Sequence, residues 1–268
     1  MAPRSYEFAL AHHRGAGSPM VCLHGFADTW RTWELILPAL ERSHEVLAPT
    51  LPGHAGGPAL PRAPRGALMV DAVEAAMDDA GFATAHLVGN SLGGHLALAL
   101  AARGRARSVV AFAPAGGWAV DDPARGLLLE RQAAIHAQVA ASAASADAIV
   151  ATAEGRRHAC ALITVRSEHI PADLLAHLIA GVARCDAAAL LARAADASWE
   201  LDAQAISCPV RIVWGTQDRL LPWPTAAARY REHWLPQADW VLLDDVGHCP
   251  QLDVPLEAAQ LILGFTAD

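Results

Sequence analysis

Lysine is missing from this chain of 268 residues: all 20 of its basic side chains are arginine. That absence excludes Schiff-base chemistry, pyridoxal phosphate anchoring and the phosphate-gripping lysine of a P-loop. Charge is sparse at 18% and leans acidic, with a net charge of −8 and an isoelectric point of about 5.9. A nucleic acid or an anionic membrane is therefore not expected as a partner, since both call for a basic surface. The five cysteines (Cys22, Cys160, Cys185, Cys208 and Cys249) form no C-x-x-C pair, so neither a zinc ribbon nor a disulfide framework is expected. No histidine or cysteine group has metal-ligand spacing, and no G-x-G-x-x-G follows a strand, so no metal and no cofactor are expected. The first residues lack the apolar core of a secretory leader, and no uncharged apolar run reaches the roughly 18 residues of a membrane span. The expected location is the reducing cytoplasm.

What is present is apolar: 53% of residues are hydrophobic and the mean hydropathy is +0.23. A chain of this length buries a sizeable core. Short apolar runs alternate with helical patterns through the first 115 residues. Strands are expected at Tyr6–Ala11 (an edge), Pro19–Leu23, Glu45–Ala48, Ala85–Val88 and Ser108–Phe112. Helices are expected at Thr29–Leu40, Arg65–Ala80 and Leu92–Arg103. This repetition predicts an α/β fold with a mostly parallel sheet flanked by helices. After Gly117 the character changes. Alanine-rich helical stretches at Gly126–Ala153 and Ala172–Ala195 carry no strand signal. Strands resume at Pro209–Trp214 and Trp240–Leu243, with helices at Pro224–His233 and Pro255–Phe265. The reading is one α/β core, 1–117 and 204–268, with a helical cap inserted at 118–203.

The most informative segment is Gly89-Asn90-Ser91-Leu92-Gly93-Gly94, a G-x-S-x-G match with an apolar strand before it and a helical run after it. A nucleophile elbow needs that context: the serine occupies a strained strand-to-helix turn that lifts its hydroxyl out of the sheet. Glycines on either side let backbone approach without clashes. Asn90 is the only asparagine in the chain.

With that elbow, the chain resembles a serine hydrolase of the α/β-hydrolase fold with a helical cap. In that family the triad follows the chain order Ser, acid, His. The resemblance implies an acid after the strand that follows the cap, where Gly215-Thr216-Gln217-Asp218 stands, and a histidine after the last strand, where Gly247-His248 stands. Ser91, Asp218 and His248 are the expected nucleophile, orienting acid and base. Asp244 and Asp245 are rivals for the acid, but they lie too near His248 on the same loop. His24-Gly25-Phe26 is similar to the family's His-Gly-x segment, which implies an oxyanion hole of the Phe26 and Leu92 N–H groups. The segment Leu51-Pro52-Gly53-His54 is similar to a family loop of structural role.

Trp118, His24 and Arg166 are the tentative pocket residues. Trp118, Leu127–Leu129, Ile135, Val139, Ile163 and Leu178 either line the pocket or form the cap's own core. His24 shapes its loop, and Arg166, Glu168 and His169 form one polar cluster. A mostly apolar pocket suits a small or medium hydrophobic carboxylic ester, and the partner expected is a small-molecule ester. Serine at position 91 disfavours the aspartate-nucleophile haloalkane dehalogenases and epoxide hydrolases. Carbon–carbon hydrolases of the meta-cleavage-product type often share Gly-Asn-Ser-Met-Gly-Gly, with a tryptophan after the histidine where Cys249 stands here. They are the alternative reading, with Arg166 binding a substrate carboxylate. A non-catalytic ligand-binding member is a further alternative. The alanine-rich helices suit a monomer or a homodimer.

Overall fold

Successive side chains of a strand face opposite ways, so a strand covered on both sides sends apolar side chains to both faces. Four central strands show this in a computed structural model, which describes residues 5–60, 67–119, 122–196 and 199–266. On β2 (Ser18–Leu23), Val21 and Leu23 enter one core while Met20 and Cys22 enter the other. Leu87 and Val88 divide the same way on β4 (Ala85–Asn90). So do Val109 and Val110 on β5 (Ala106–Phe112), and Ile212 and Val213 on β6 (Val210–Gly215). With β1 (Ala11–Gly15), β3 (His44–Pro49) and β7 (Asp239–Leu243), these make a seven-stranded sheet in the order β1-β3-β2-β4-β5-β6-β7. Only the β1–β3 pair is antiparallel.

The helices are α1 (Leu37–Leu40), α2 (Leu68–Asp79), α3 (Leu92–Ala102), α4 (Ala124–Ser142), α5 (Ala146–Val150), α6 (Ala153–Cys160), α7 (Ala172–Val182), α8 (Ala187–Asp196), α9 (Pro250–Asp253) and α10 (Pro255–Thr266). Helices α2 and α3 pack on one face through Val73, Met77, Leu96 and Leu100. On the other, Ala258 and Ile262 of α10 meet Trp33, Ile36 and Leu40. Helices α4 to α8 lie between β5 and β6, and α5, α6 and α7 share a core of Val150, Cys160, Leu174 and Leu175.

Several element boundaries differ from the sequence reading. The edge strand is Ala11–Gly15, not Tyr6–Ala11, because β1 follows β3 from Pro49 back to Glu45 and ends where Gly15 turns with φ 89°. A Cβ on Gly15 would lie 2.2 Å from the His44 carbonyl. The helix expected at Thr29–Leu40 is a 3-10 turn, Trp30–Trp33, followed by the single turn α1. Pro38 has no N–H to return to the preceding turn. The stretch expected at Pro224–His233 is a 3-10 turn at Thr225–Ala227 and a wide π turn at Tyr230–Trp234, where Arg229 stacks on Trp234 at 4.0 Å. The helix expected at Ala172–Ala195 is two helices, α7 and α8, bent by 69°. Residues 65 and 66, at the expected start of α2, lie outside the described residues. The stretch Gly126–Val150 is long and apolar enough to cross a membrane; 11% of its apolar window is buried, and α4 packs against α7 and α8.

Candidate active site

The loops that leave the carboxyl ends of β2, β4, β6 and β7 meet at one edge of the sheet, where open α/β sheets place their sites. Adjacent strands bring the parts together in pairs. Leu23 of β2 lies beside Gly89 of β4, so the turn after β2 meets the turn after β4. Gly215 of β6 lies beside Leu243 of β7, so Asp218 and His248 start from neighbouring strand ends.

Ser91 has φ 56° and ψ −116°, a conformation that side chains rarely adopt. It holds because the turn is fixed on both sides. Ser91 N–H donates to the Phe112 carbonyl at 2.9 Å, and the Ser91 carbonyl accepts from Ala115 N–H at 3.0 Å. A Cβ on Gly89 would lie 2.2 Å from the Gly93 carbonyl oxygen, and one on Gly93 would lie 2.1 Å from that of Leu23. Both positions must be glycine. Helix α3 begins at Leu92 and turns its positive end toward Ser91.

Asp218 and His248 are buried and joined, with His248 Nδ1 2.7 Å from Asp218 Oδ2. The other oxygen, Oδ1, accepts from the N–H groups of Leu220 at 2.9 Å and Leu221 at 2.7 Å. A carboxylate so held only accepts, so the imidazole hydrogen lies on Nδ1 and the lone pair on Nε2. The residue before the nucleophile fastens the histidine loop: Asn90 Nδ2 donates to the His248 carbonyl at 2.9 Å and to that of Phe112 at 3.2 Å. Gln217 N–H donates to the Val246 carbonyl at 2.9 Å, which ties the acid's loop to the histidine's. Asp244 and Asp245 do not take the acid's place; the carboxylate of Asp245 bonds Arg166.

The turn after β2 passes close to the nucleophile. A Cβ on Gly25 would lie 3.4 Å from the Cβ of Ser91. Phe26 follows, with its ring between His54 and His136 at centroid distances of 6.3 and 6.5 Å, and Ala27 turns with φ 59°. Phe26 thus directly follows the glycine that approaches Ser91, and Leu92 directly follows Ser91 at the start of α3.

Two of the three tentative pocket residues are otherwise engaged. His24 is fully buried: its Nε2 accepts from Leu51 N–H at 2.9 Å and its Nδ1 donates to the Gly25 carbonyl at 2.7 Å. Burial, with His54 beside it, pushes its pKa well below the usual histidine value. It braces the turn and presents no free ring nitrogen. Arg166 donates to both the backbone oxygen and the carboxylate of Asp245, at 2.9 and 3.1 Å, which occupies the guanidinium that the carboxylate-binding reading needs. Trp118 is buried edge-on against Trp199, 6.4 Å between centroids, beside the cap residue Leu128. His95, one turn after Ser91, bonds the Tyr230 hydroxyl at 2.9 Å, and burial lowers its pKa to about 4, with the Arg229 cation adding to the effect. Among the described residues no three histidine, cysteine or acidic side chains are grouped to hold a metal ion.

The sequence reading passed over Asp253. Its buried carboxylate accepts from Gly247 N–H at 2.7 Å, Val165 N–H at 2.9 Å and Arg166 N–H at 2.8 Å. It therefore clasps the segment between α6 and α7 onto the loop that carries His248. Its position five residues after His248 was the only signal available.

The seven-stranded, mostly parallel sheet, with the strained serine turn after β4 and the joined Asp218–His248 pair at one edge, is the arrangement of an α/β hydrolase. The model of the α/β-hydrolase fold family matches residues 18–255, and the chain belongs to that family. It is 32% identical over 201 residues to the epoxide hydrolase EphH of Mycobacterium tuberculosis, which covers 74% of this chain and 94% of that protein. It is 30% identical over 259 residues to the pimeloyl-[acyl-carrier protein] methyl ester esterase of Aromatoleum aromaticum, covering 91% of this chain and 96% of the relative. Among solved structures, a 2-hydroxy-6-oxo-6-phenylhexa-2,4-dienoate hydrolase from Rhodococcus superposes with a TM-score of 0.74 at 21% identity, covering 96% of this chain and 94% of the other. That likeness speaks to the fold.

Proposed function

We propose that the protein is a serine esterase acting on a small or medium hydrophobic carboxylic ester. The observation that carries this is the His248–Asp218 pair at 2.7 Å, with the histidine loop fastened by Asn90, the residue before Ser91. In this reading His248 Nε2 takes the proton of Ser91 Oγ as the oxygen attacks the ester carbonyl. The carbonyl electron pair moves onto oxygen, where the Phe26 and Leu92 N–H groups stabilise it. Collapse expels the alcohol, which takes its proton from the imidazolium. Water, deprotonated by His248, then attacks the acyl-Ser91 ester and releases the acid.

The chemistry of serine separates the named relatives. A serine oxygen that opened an epoxide would form an ether, with no carbonyl for water to attack, and the enzyme would stop after one turnover. Attack on an ester leaves an acyl-enzyme that water can cleave. Full-length similarity to a methyl ester esterase favours the same choice. The Arg166–Asp245 contact weakens the carbon–carbon hydrolase alternative. The five free cysteines fit a reducing compartment, and the cytoplasm is the proposed location.

Purified wild-type protein and Ser91→Ala assayed on nitrophenyl esters from acetyl to decanoyl test the proposal. Serine-dependent turnover with a chain-length optimum supports it. A folded wild type that leaves every ester intact but cleaves a vinylogous diketo acid shows the carbon–carbon reaction instead.

A further inference from the structure

A second carboxylate lies within electrostatic reach of His248. Asp28 lies three residues past Gly25, half-buried in the turn that carries Phe26. Its Oδ1 accepts from Thr29 N–H at 2.7 Å, and the carboxylate also takes the hydroxyl hydrogen of Thr32. Thr32 Oγ1 in turn accepts from Gln251 Nε2 at 3.2 Å, and the same amide group donates to Asn90 Oδ1 at 3.2 Å. Asn90 hands its own hydrogen to the His248 carbonyl. Gln251 is fully buried and donates both ways: one arm ends on Asp28, the other on the backbone of His248. Its Oε1 has no partner. An orientation that orphans a buried acceptor is costly, so the two donated bonds fix it.

The groups facing Asp28 are Thr29 and Thr32 on its own turn and His248 and Cys249 across from it. Burial pushes the Asp28 carboxyl up to about 6 despite the opposing bonds from Thr29 and Thr32 and the nearness of His248. The thiol of Cys249, raised by burial and by Asp28, Asp218 and Asp253, stays neutral. Above pH 6 the fold therefore keeps an anion here at a net cost despite those bonds, and charge of this kind gathers at functional sites.

We propose that Asp28 is a positioning residue for the reaction. Through Thr32, Gln251 and Asn90 it holds His248 in register with the oxyanion turn, and its charge stabilises the imidazolium formed when Ser91 loses its proton. This rests on the serine-hydrolase reading of Ser91 and His248.

The test needs no natural substrate. The rate at which a fluorophosphonate labels Ser91 is measured against pH for wild type, Asp28→Asn and Thr32→Val, with melting temperatures at pH 8. Asp28→Asn keeps the size and an acceptor while removing the charge. It should slow labelling on the order of tenfold at pH 8, as for one nearby charge. It should also move the midpoint of the acidic limb to lower pH, since loss of the anion disfavours the imidazolium, and should melt no lower than wild type. Thr32→Val should slow labelling with the midpoint in place. An unchanged rate and midpoint in Asp28→Asn, or a rate that falls only together with the melting temperature, overturns the proposal while leaving the triad intact. No labelling of folded wild type at any pH overturns the serine-hydrolase reading itself.

Discussion

The side-chain amide of Asn90 donates to the backbone carbonyl of His248 at 2.9 Å, across 158 residues of chain. The nucleophile and the base therefore share a fixed frame: the residue before Ser91 grips the loop that carries the histidine. Asn90→Ala removes the donor to the buried His248 carbonyl, while the Phe112 carbonyl keeps its bond from Ser91 N–H. At about 1–3 kcal/mol for one stranded buried group, the variant should unfold at lower urea than wild type. Its kcat should fall on the order of tenfold or more, with KM little changed, because the misplaced group acts on the reaction and not on substrate. A variant of wild-type kcat would show that the histidine loop is held elsewhere.

In the proposed mechanism Asp218 contributes orientation and charge. Asp218→Asn keeps the shape but offers an amide to His248 Nδ1, which favours the wrong tautomer, and it should lower kcat on the order of 10⁴. A loss under about tenfold would assign the acid to another carboxylate.

The clasp at Asp253 is a stability element as well as a tie between cap and site. Asp253→Ala strands three backbone N–H groups at a position 1% exposed. The expected loss is about 3 kcal/mol or more, read from urea unfolding. A change within about 0.5 kcal/mol, the range of ordinary surface substitutions, would mean that water or another group serves those donors.

Buried histidines set the acid side of the stability profile. Burial lowers His54 and His95 to about 4 from an unfolded value of 6.5, and His24 falls well below it. The unfolded chain then binds more protons across this range, so their contribution is complete above pH 6.5 and is lost as pH falls toward 4. Asp28 runs the other way: its raised value favours the folded state below 3.8, and this fades as pH rises through about 6. Burial lowers His177 to about 4 as well, and four histidines outweigh one carboxyl. The melting temperature should fall between pH 7 and pH 5, and His54→Gln should flatten the slope. A melting temperature that rises on acidification would contradict this assignment.

The elements legible in the sequence are those whose cause is local. Gly89 and Gly93 flank Ser91 because neighbouring backbone leaves no room for a Cβ, and that constraint writes itself into five consecutive residues. His248 was legible because its loop has a characteristic Gly-His at the end of the last strand. Asp28, Thr32, Gln251 and Asp253 were not, because their partners are far along the chain: Gln251 reaches Thr32 across 219 residues, and Asp253 reaches Val165 across 88. No spacing rule brings such pairs together. The partner of Arg166 was illegible for a related reason, since a free cation and one paired with Asp245 look alike until the loop after β7 folds against it. The cap helices were read as longer than they are, because alanine favours helix everywhere and marks no ends.

The central claim is that Ser91 carries an acyl group between two half-reactions. The direct measurement is intact-protein mass spectrometry on samples quenched in acid during turnover of a nitrophenyl ester. The wild type should show a species heavier by one acyl group, mapped to the Ser91 peptide. Ser91→Ala should show neither the adduct nor turnover. Turnover that persists in Ser91→Ala, or an adduct on any other residue, would contradict the account.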